Sequence, residues 1–223
     1  MIKKTAKIIN CTRNLEVEIN CWYKDKIGSI IEVYDCGTPN VRYCEYKPGK
    51  VGKISLPDIE FISVKVLTLW QPWASLFAAG IKTIETRPKP TNHTIDKGIY
   101  LIHAAKKWDK FQRDICNTHP FKHLIESNKL EMSLGAIIGS IEIVRCNKIV
   151  SEIPGHSDVF LADNNDEIIE IVNHNEIPLG DYRTGRFAWI GINPKLLIDP
   201  VPYKNGQGYY QNFKGDINQL KFK

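Results

Sequence analysis

Residues 69–87 read LWQPWASLFAAGIKTIETR, a short apolar helix stopped by a glycine that delivers a lysine, a glutamate and an arginine within six residues. Pro72 suits the first helical turn, where a missing N–H costs nothing, and Gly80 suits the left-handed position that ends a helix. With Lys82 in the turn and a strand starting at Thr83, the two-residue period places Thr83, Glu85 and Arg87 on one face. Ile84 then faces the core. The polar face must meet something other than apolar packing.

Upstream of this stretch, residues 64–69 form a strand that feeds the helix. Downstream, Pro88 and Pro90 make residues 88–94 a loop, because proline cannot join a regular ladder. Residues 98–105 are apolar on both faces, as in a strand covered on both sides. Residues 106–129 have helical character, interrupted at His119-Pro120. The strand at 135–144 is the most apolar in the chain, and Glu142 inside it requires a partner or a raised pKa. Residues 158–175 are acidic, with a helix-like patch at Ile168, Ile169, Ile171 and Val172. They read as a surface insertion away from any nucleic-acid path. Residues 180–191 form a turn leading into a strand that ends at Asn193-Pro194, and the last forty or so residues read as mostly irregular.

The first 63 residues read differently. Short β-rich runs at 15–19, 28–34 and 51–56, separated by turn clusters, suggest about five strands and a small SH3-like barrel. A boundary near Ser63 divides the chain into residues 1–63, a small all-β domain, and residues 64–223. Trp22, Tyr23, Tyr34, Tyr43 and Tyr46 offer this small domain either core or a stacking surface, and core is the default for most of them.

The formal net charge of +5 over 223 residues is mildly basic, far from the charge density of a histone-like binder. The six cysteines are scattered without a C-x-x-C pair and read as reduced thiols. The basic start has no adequate apolar run behind it for a signal peptide, and no segment approaches the length needed to span a bilayer. A soluble, cytoplasmic protein with no membrane association is expected.

The motifs LWQPWA (69–74), GIKTIETR (80–87), IHAAKK (102–107), GAIIG (135–139) and GRFAW (185–189) occur in an order that resembles the ASCH family, whose fold is related to PUA domains. The resemblance covers about residues 64–210. It implies an α+β fold, a PUA-like β-barrel with surrounding helices, and a cleft that takes RNA, single-stranded nucleic acid or a modified nucleoside. One bacterial branch hydrolyses the amide of N4-acetylcytidine with the motif lysine and a threonine three residues later. Here that position is Glu85, so the nucleophile of that branch is replaced.

Lys82 ranks first among the candidate residues, as a phosphate contact or a polariser of a base carbonyl. Glu85 and Arg87 either pair with each other or divide the work, Glu85 accepting from the exocyclic amine of a base and Arg87 holding phosphate. Trp73 is a stacking wall or core, whereas Trp70 reads as core. His103 has a core default and a place in the motif beside Lys106. Arg183 and Arg186 flank Gly185 in a turn suited to phosphate. Cys116, His119 and His123 have zinc-like spacing without a fourth ligand nearby, so no metal or cofactor is expected. The leading expectation is nucleic-acid binding, with a protein partner open to residues 1–63. The alternative is a hydrolase, an amidohydrolase or ribonuclease, with Lys82 stabilising negative charge and Glu85 as general base.

Overall fold

The computed structural model describes residues 3–8, 29–34, 41–47, 50–55, 59–61, 64–88, 97–151, 153, 155, 157–204, 210–213, 215 and 219–223. It divides into two compact units, Met1–Val64 with Lys214–Leu220, and Lys65–Phe213 with Lys221–Lys223. The described residues are rich in sheet and carry three short α-helices. None of these helices is long and apolar enough to cross a membrane.

The first unit contains β1 (Lys3–Ile8), β2 (Ile30–Tyr34), β3 (Val41–Lys47), β4 (Lys50–Ser55) and β5 (Ile59–Phe61), in the order β4-β3-β2-β1-β5. Each pairing is antiparallel. Alternation sends Ala6, Ile8, Val33, Cys44, Ile54 and Ile59 into one apolar cluster. Tyr34 and Tyr43 are cross-strand partners with ring centroids 5.9 Å apart, half-buried and outside that cluster. The expected closed barrel does not form among the described residues: β4 and β5 remain the two edges, and a three-residue β5 offers little ladder for closure. The β-run at 15–19, together with Trp22 and Tyr23, lies outside the described residues.

The second unit begins with β6 (Lys65–Leu69), α1 (Trp73–Ala78), β7 (Ile84–Arg87) and β8 (Gly98–Ala104). It continues through α2 (Lys110–Cys116), α3 (Phe121–Ser127), β9 (Ala136–Val150), β10 (Phe160–Ala162), β11 (Ile168–Ile171), β12 (Phe187–Pro202) and β13 (Tyr210–Asn212). The sheet runs β11-β10-β9-β8-β6-β13, and β12 lies between β9 and β7. Among the described strands only β6 and β8 pair in parallel, because α1 and β7 intervene as a crossover. This sheet also stays open among the described residues, with β7, β11 and β13 at its margins, so the barrel expected here is corrected to an open sheet.

Helix α1 packs on the sheet through Ala74, Phe77 and Ala78, which join Leu67, Leu69, Tyr100, Ile141 and Trp189 in the main core. Burying a side chain of that size contributes about 1.5–3 kcal/mol. Close approach requires a glycine opposite: a Cβ on Gly139 would lie 3.0 Å from that of Ala78 and 2.5 Å from the Lys195 carbonyl oxygen. Gly80 ends the helix region at φ +73°, as its position predicts, and a side chain there would also collide with Pro194.

The helical region 106–129 is interrupted at His119-Pro120 as expected, giving two helices, with Asp109 and Gln112 forming a capping box at the start of α2 and Pro120 preceding α3. Two local expectations are corrected. The apolar patch at 168–171 is a strand, β11, that extends the sheet beside β10. Strand β12 does not end at Asn193-Pro194. It bulges there, with Asn193 at φ +51°, and continues to Pro202. The Asn193 amide donates to Glu142 at 3.0 Å, which supplies a partner for that carboxylate.

Candidate functional site

Helix α1 hands the chain to β7 through a stitched turn. Ile81 and Lys82 both donate their N–H groups to the Leu76 carbonyl, at 3.0 and 3.2 Å, so Lys82 has a fixed start. Among the described residues strand β7 pairs only with β12, Glu85 opposite Trp189, and the Thr83 carbonyl accepts from the Gly191 N–H at 2.8 Å. Alternation along the strand then turns the carbonyls of Ile84 and Thr86 to the unpaired edge. Each is met by a cation. Lys82 Nζ donates to the Ile84 oxygen, and Arg186 donates to the Thr86 oxygen at 3.3 Å. An open strand edge is thereby capped from its own chain.

Both faces of β7 are covered. Ile84 joins Ile149, Leu161, Tyr182 and Ala188 in a second apolar cluster, as its place in the alternation predicts. The polar face is also sheltered: Lys82 is 1% exposed and Glu85 is 8% exposed. Glu85 lies between two cations, Lys82 Nζ at 3.4 Å and Arg87 Nε at 3.1 Å, and Arg87 is tied further to the Thr68 carbonyl at 3.3 Å. Burial lowers the pKa of Lys82 below the usual lysine value, opposed by the charges of Glu85 and Glu176. The aromatic ring of Phe77 lies 5.7 Å from the ammonium.

Glu176 is the residue that sequence reasoning missed. Its buried carboxylate accepts from the Thr83 N–H and from the Thr83 hydroxyl, at 2.5 and 2.6 Å, and from the Tyr182 hydroxyl at 3.4 Å. Burial, then the negative charge of Glu176, pushes the Tyr182 phenol above its usual value. Residues 176–182, including the 3-10 turn Ile177–Leu179, are thus fastened to the turn that carries Lys82. The only sequence signals here were Pro178 and Gly180, which mark a turn immediately before the GRFAW motif.

Between this fastened segment, α1 and the two helices α2 and α3 lies a cleft of about 380 Å³. Lys82, Glu85, Thr86, Asp181 and Arg186 supply its polar lining, while Trp73, Ile115, Phe121 and Leu179 supply the apolar part. Trp73 is half-buried, edge-to-face with Phe121 at 5.8 Å and stacked with Phe111 at 6.3 Å. Arg186 is held on three sides: its Nε donates to the Asp181 carbonyl at 3.0 Å, one terminal nitrogen lies 3.3 Å from the Asp181 carboxylate, and the other reaches Thr86. Asp181 also takes a two-pronged contact from Arg183, at 2.8 and 2.7 Å, and that contact holds its pKa at about 2.

The geometry therefore gathers Lys82, Glu85, Trp73 and Arg186 around one space. Arg87 stands beside Glu85 without lining the cleft. Arg183 is exposed and turned onto Asp181. His103 is buried elsewhere, its Nδ1 3.1 Å from the Thr68 hydroxyl and its Nε2 3.1 Å from the Tyr203 carbonyl; burial lowers its pKa. Lys106 lays its stem over Gly135. Trp70, expected in the core, is 45% exposed and carries Lys107 above its ring at 4.0 Å. Among the described residues no three His, Cys, Asp or Glu side chains converge in a way that would hold a metal.

The cleft residues from Lys82 to Arg186 fall inside the span that matches a known family: the model of the ASCH domain family matches residues 67–195. The chain belongs to the ASCH domain family. A search of curated proteins returns no match. The ASCH span contains α1, β7, both cleft helices and the segment anchored by Glu176, so the complete wall of the cleft belongs to this domain. Residues 1–64 lie outside it.

Proposed function

We propose that the ASCH cleft binds one neutral, planar heterocycle, the base of a single-stranded RNA or of a modified nucleoside. One observation carries this reading: the cleft lining balances two cations with two carboxylates in contact, Lys82 with Glu85 and Arg186 with Asp181. A site built to hold phosphate would present a cation without an acidic partner. A site built for a base needs a flat apolar wall and a few fixed donors and acceptors.

Trp73 supplies the wall. Glu85, fixed between two cations, accepts from an exocyclic amine, the contact a carboxylate makes with cytosine. Lys82 has three N–H donors and directs them to the Ile84 carbonyl, to Glu85 and to a base carbonyl. In this reading Arg87 positions Glu85, and Arg183, exposed and outside the cleft lining, pairs with Asp181. Calorimetric titration with cytidine tests it. Glu85→Gln and Trp73→Leu should each weaken binding about tenfold or more. Unchanged affinity in both variants would remove the cleft from the account.

A hydrolytic reading is favoured by one feature, the lowered pKa of buried Lys82 beside a carboxylate. On an N4-acylated cytidine, Glu85 would take a proton from water, the resulting hydroxide would add to the amide carbonyl, and Lys82 would stabilise the oxyanion. Collapse would expel the base amine, which takes the proton from Glu85, and release the carboxylic acid. Incubation with N4-acetylcytidine followed by chromatography decides between the two readings. Cytidine and acetate formed by the wild type and lost in Glu85→Gln would establish the enzyme; tight binding without product would leave the binder.

A further inference from the structure

The corner made by α2 and α3 separates the cleft from a second groove of about 300 Å³. The division falls between adjacent residues. Ile115 and Phe121 face the cleft, while their successors Cys116 and Lys122 line the groove. The two spaces therefore share these helices as a common wall.

The groove has a different chemistry. Trp108, Ile125 and Met132 give it an apolar floor, all half-buried. Burial raises the pKa of the Cys116 thiol, so the thiol adds no charge. Two cations stand on its lining, Arg113 and Lys122, both exposed. Neither forms an ion pair with a described residue. Arg113 is oriented by a hydrogen bond to the Trp108 carbonyl at 3.0 Å, which uses one of its five N–H donors, and both residues line the groove. Glu126 is the one carboxylate on the lining, and it leaves the groove with net positive charge.

We infer that this groove is a second nucleic-acid subsite, which takes the phosphate and stacked base of a nucleotide adjoining the one held in the cleft. An aromatic face beside two cations without acidic partners is what a single-stranded polyanion with stacking bases requires. The inference rests on the reading of the cleft as a base site, and it makes the ligand a strand rather than a free nucleoside. The neutralised cleft supplies base recognition, and the groove supplies the attraction for the backbone.

The test uses the full chain with two probes, free cytidine by calorimetry and a fluorescein-labelled hexacytidylate RNA by anisotropy at several salt concentrations. The double variant Arg113→Gln/Lys122→Gln should leave cytidine affinity unchanged. For the hexamer it should flatten the slope of log affinity against log salt by about 1.4, the contribution of two single-strand phosphate contacts. Trp108→Leu should weaken hexamer binding roughly fivefold or more. The charge-conserving pair Arg113→Lys/Lys122→Arg should retain the wild-type slope, and matching thermal melts would exclude misfolding. Wild-type hexamer affinity and slope in the double variant would overturn the groove while leaving cytidine binding, and hence the cleft, intact. A flattened hexamer slope with no cytidine binding by the wild type would support the groove and overturn the cleft.

Discussion

The cleft and the groove share one helical corner, yet they treat their charges in opposite ways. In the cleft, Lys82 is almost fully buried and ends on Glu85, and Arg186 ends on Asp181 and on two carbonyls. In the groove, Arg113 and Lys122 are exposed and meet no acidic partner among the described residues. Burial accounts for the difference. A charge removed from water must be paired, because the unpaired state costs several kcal/mol. An exposed charge can remain unpaired and act at a distance, subject to salt. A buried, neutralised site selects shape and hydrogen-bond pattern, whereas an exposed, unneutralised one attracts a polyanion.

The largest expected effect comes from breaking the neutralisation. Glu85→Ala would leave Lys82 and Arg87 facing each other without their shared carboxylate, at a cost of about 3–5 kcal/mol of stability by urea unfolding. Glu176→Ala comes next. Loss of the acceptor for Thr83 and Tyr182 should cost about 1–3 kcal/mol and weaken cytidine binding, because residues 176–182 form part of the cleft wall. A result with lost stability and full binding would separate the wall from the site.

The pH dependence sharpens the same comparison. Lys82 has a folded pKa below its unfolded value near 10.5, so the unfolded chain binds more protons between the two. Stability of the wild type relative to Lys82→Met should therefore rise as pH increases through the folded value toward 10.5. Asp181 behaves in the opposite sense: its carboxylate is held down from 3.8 to about 2, so its contribution is present above pH 4 and disappears as pH falls toward 2. Asp181→Asn should remove that acid-side slope. The smallest effect belongs to Arg183→Gln, an exposed side chain that should change neither cytidine affinity nor the unfolding midpoint measurably.

Much of this arrangement was legible from residue types. Pro72 and Gly80 bracketed α1, and alternation after Lys82 placed Ile84 in an apolar cluster. The strand alternation could not reveal that the polar side is also buried, because that depends on residues the rest of the fold brings there: Phe77 of α1 beside Lys82, and Glu176 on Thr83. Arg186 read as a phosphate contact because a turn arginine is usually exposed. Its engagement with Asp181 and Thr86 is a matter of loop geometry, which spacing does not encode. Strand β12 outran its expected end because a bulge at Asn193 lets Pro194 sit in a strand without breaking it. Glu176 stood just beyond an acidic stretch that appeared unrelated to the site, and only the fold brings it to Thr83.

The claim that the cleft is neutralised is tested most directly by comparing cytidine with cytidine 5′-monophosphate in the Arg113→Gln/Lys122→Gln background, where the groove cannot contribute phosphate contacts. The account predicts equal affinity for the two ligands, little change between low and moderate salt, and a loss of about tenfold or more for both in Glu85→Gln. Binding of the monophosphate alone, with a steep dependence on salt, would contradict it.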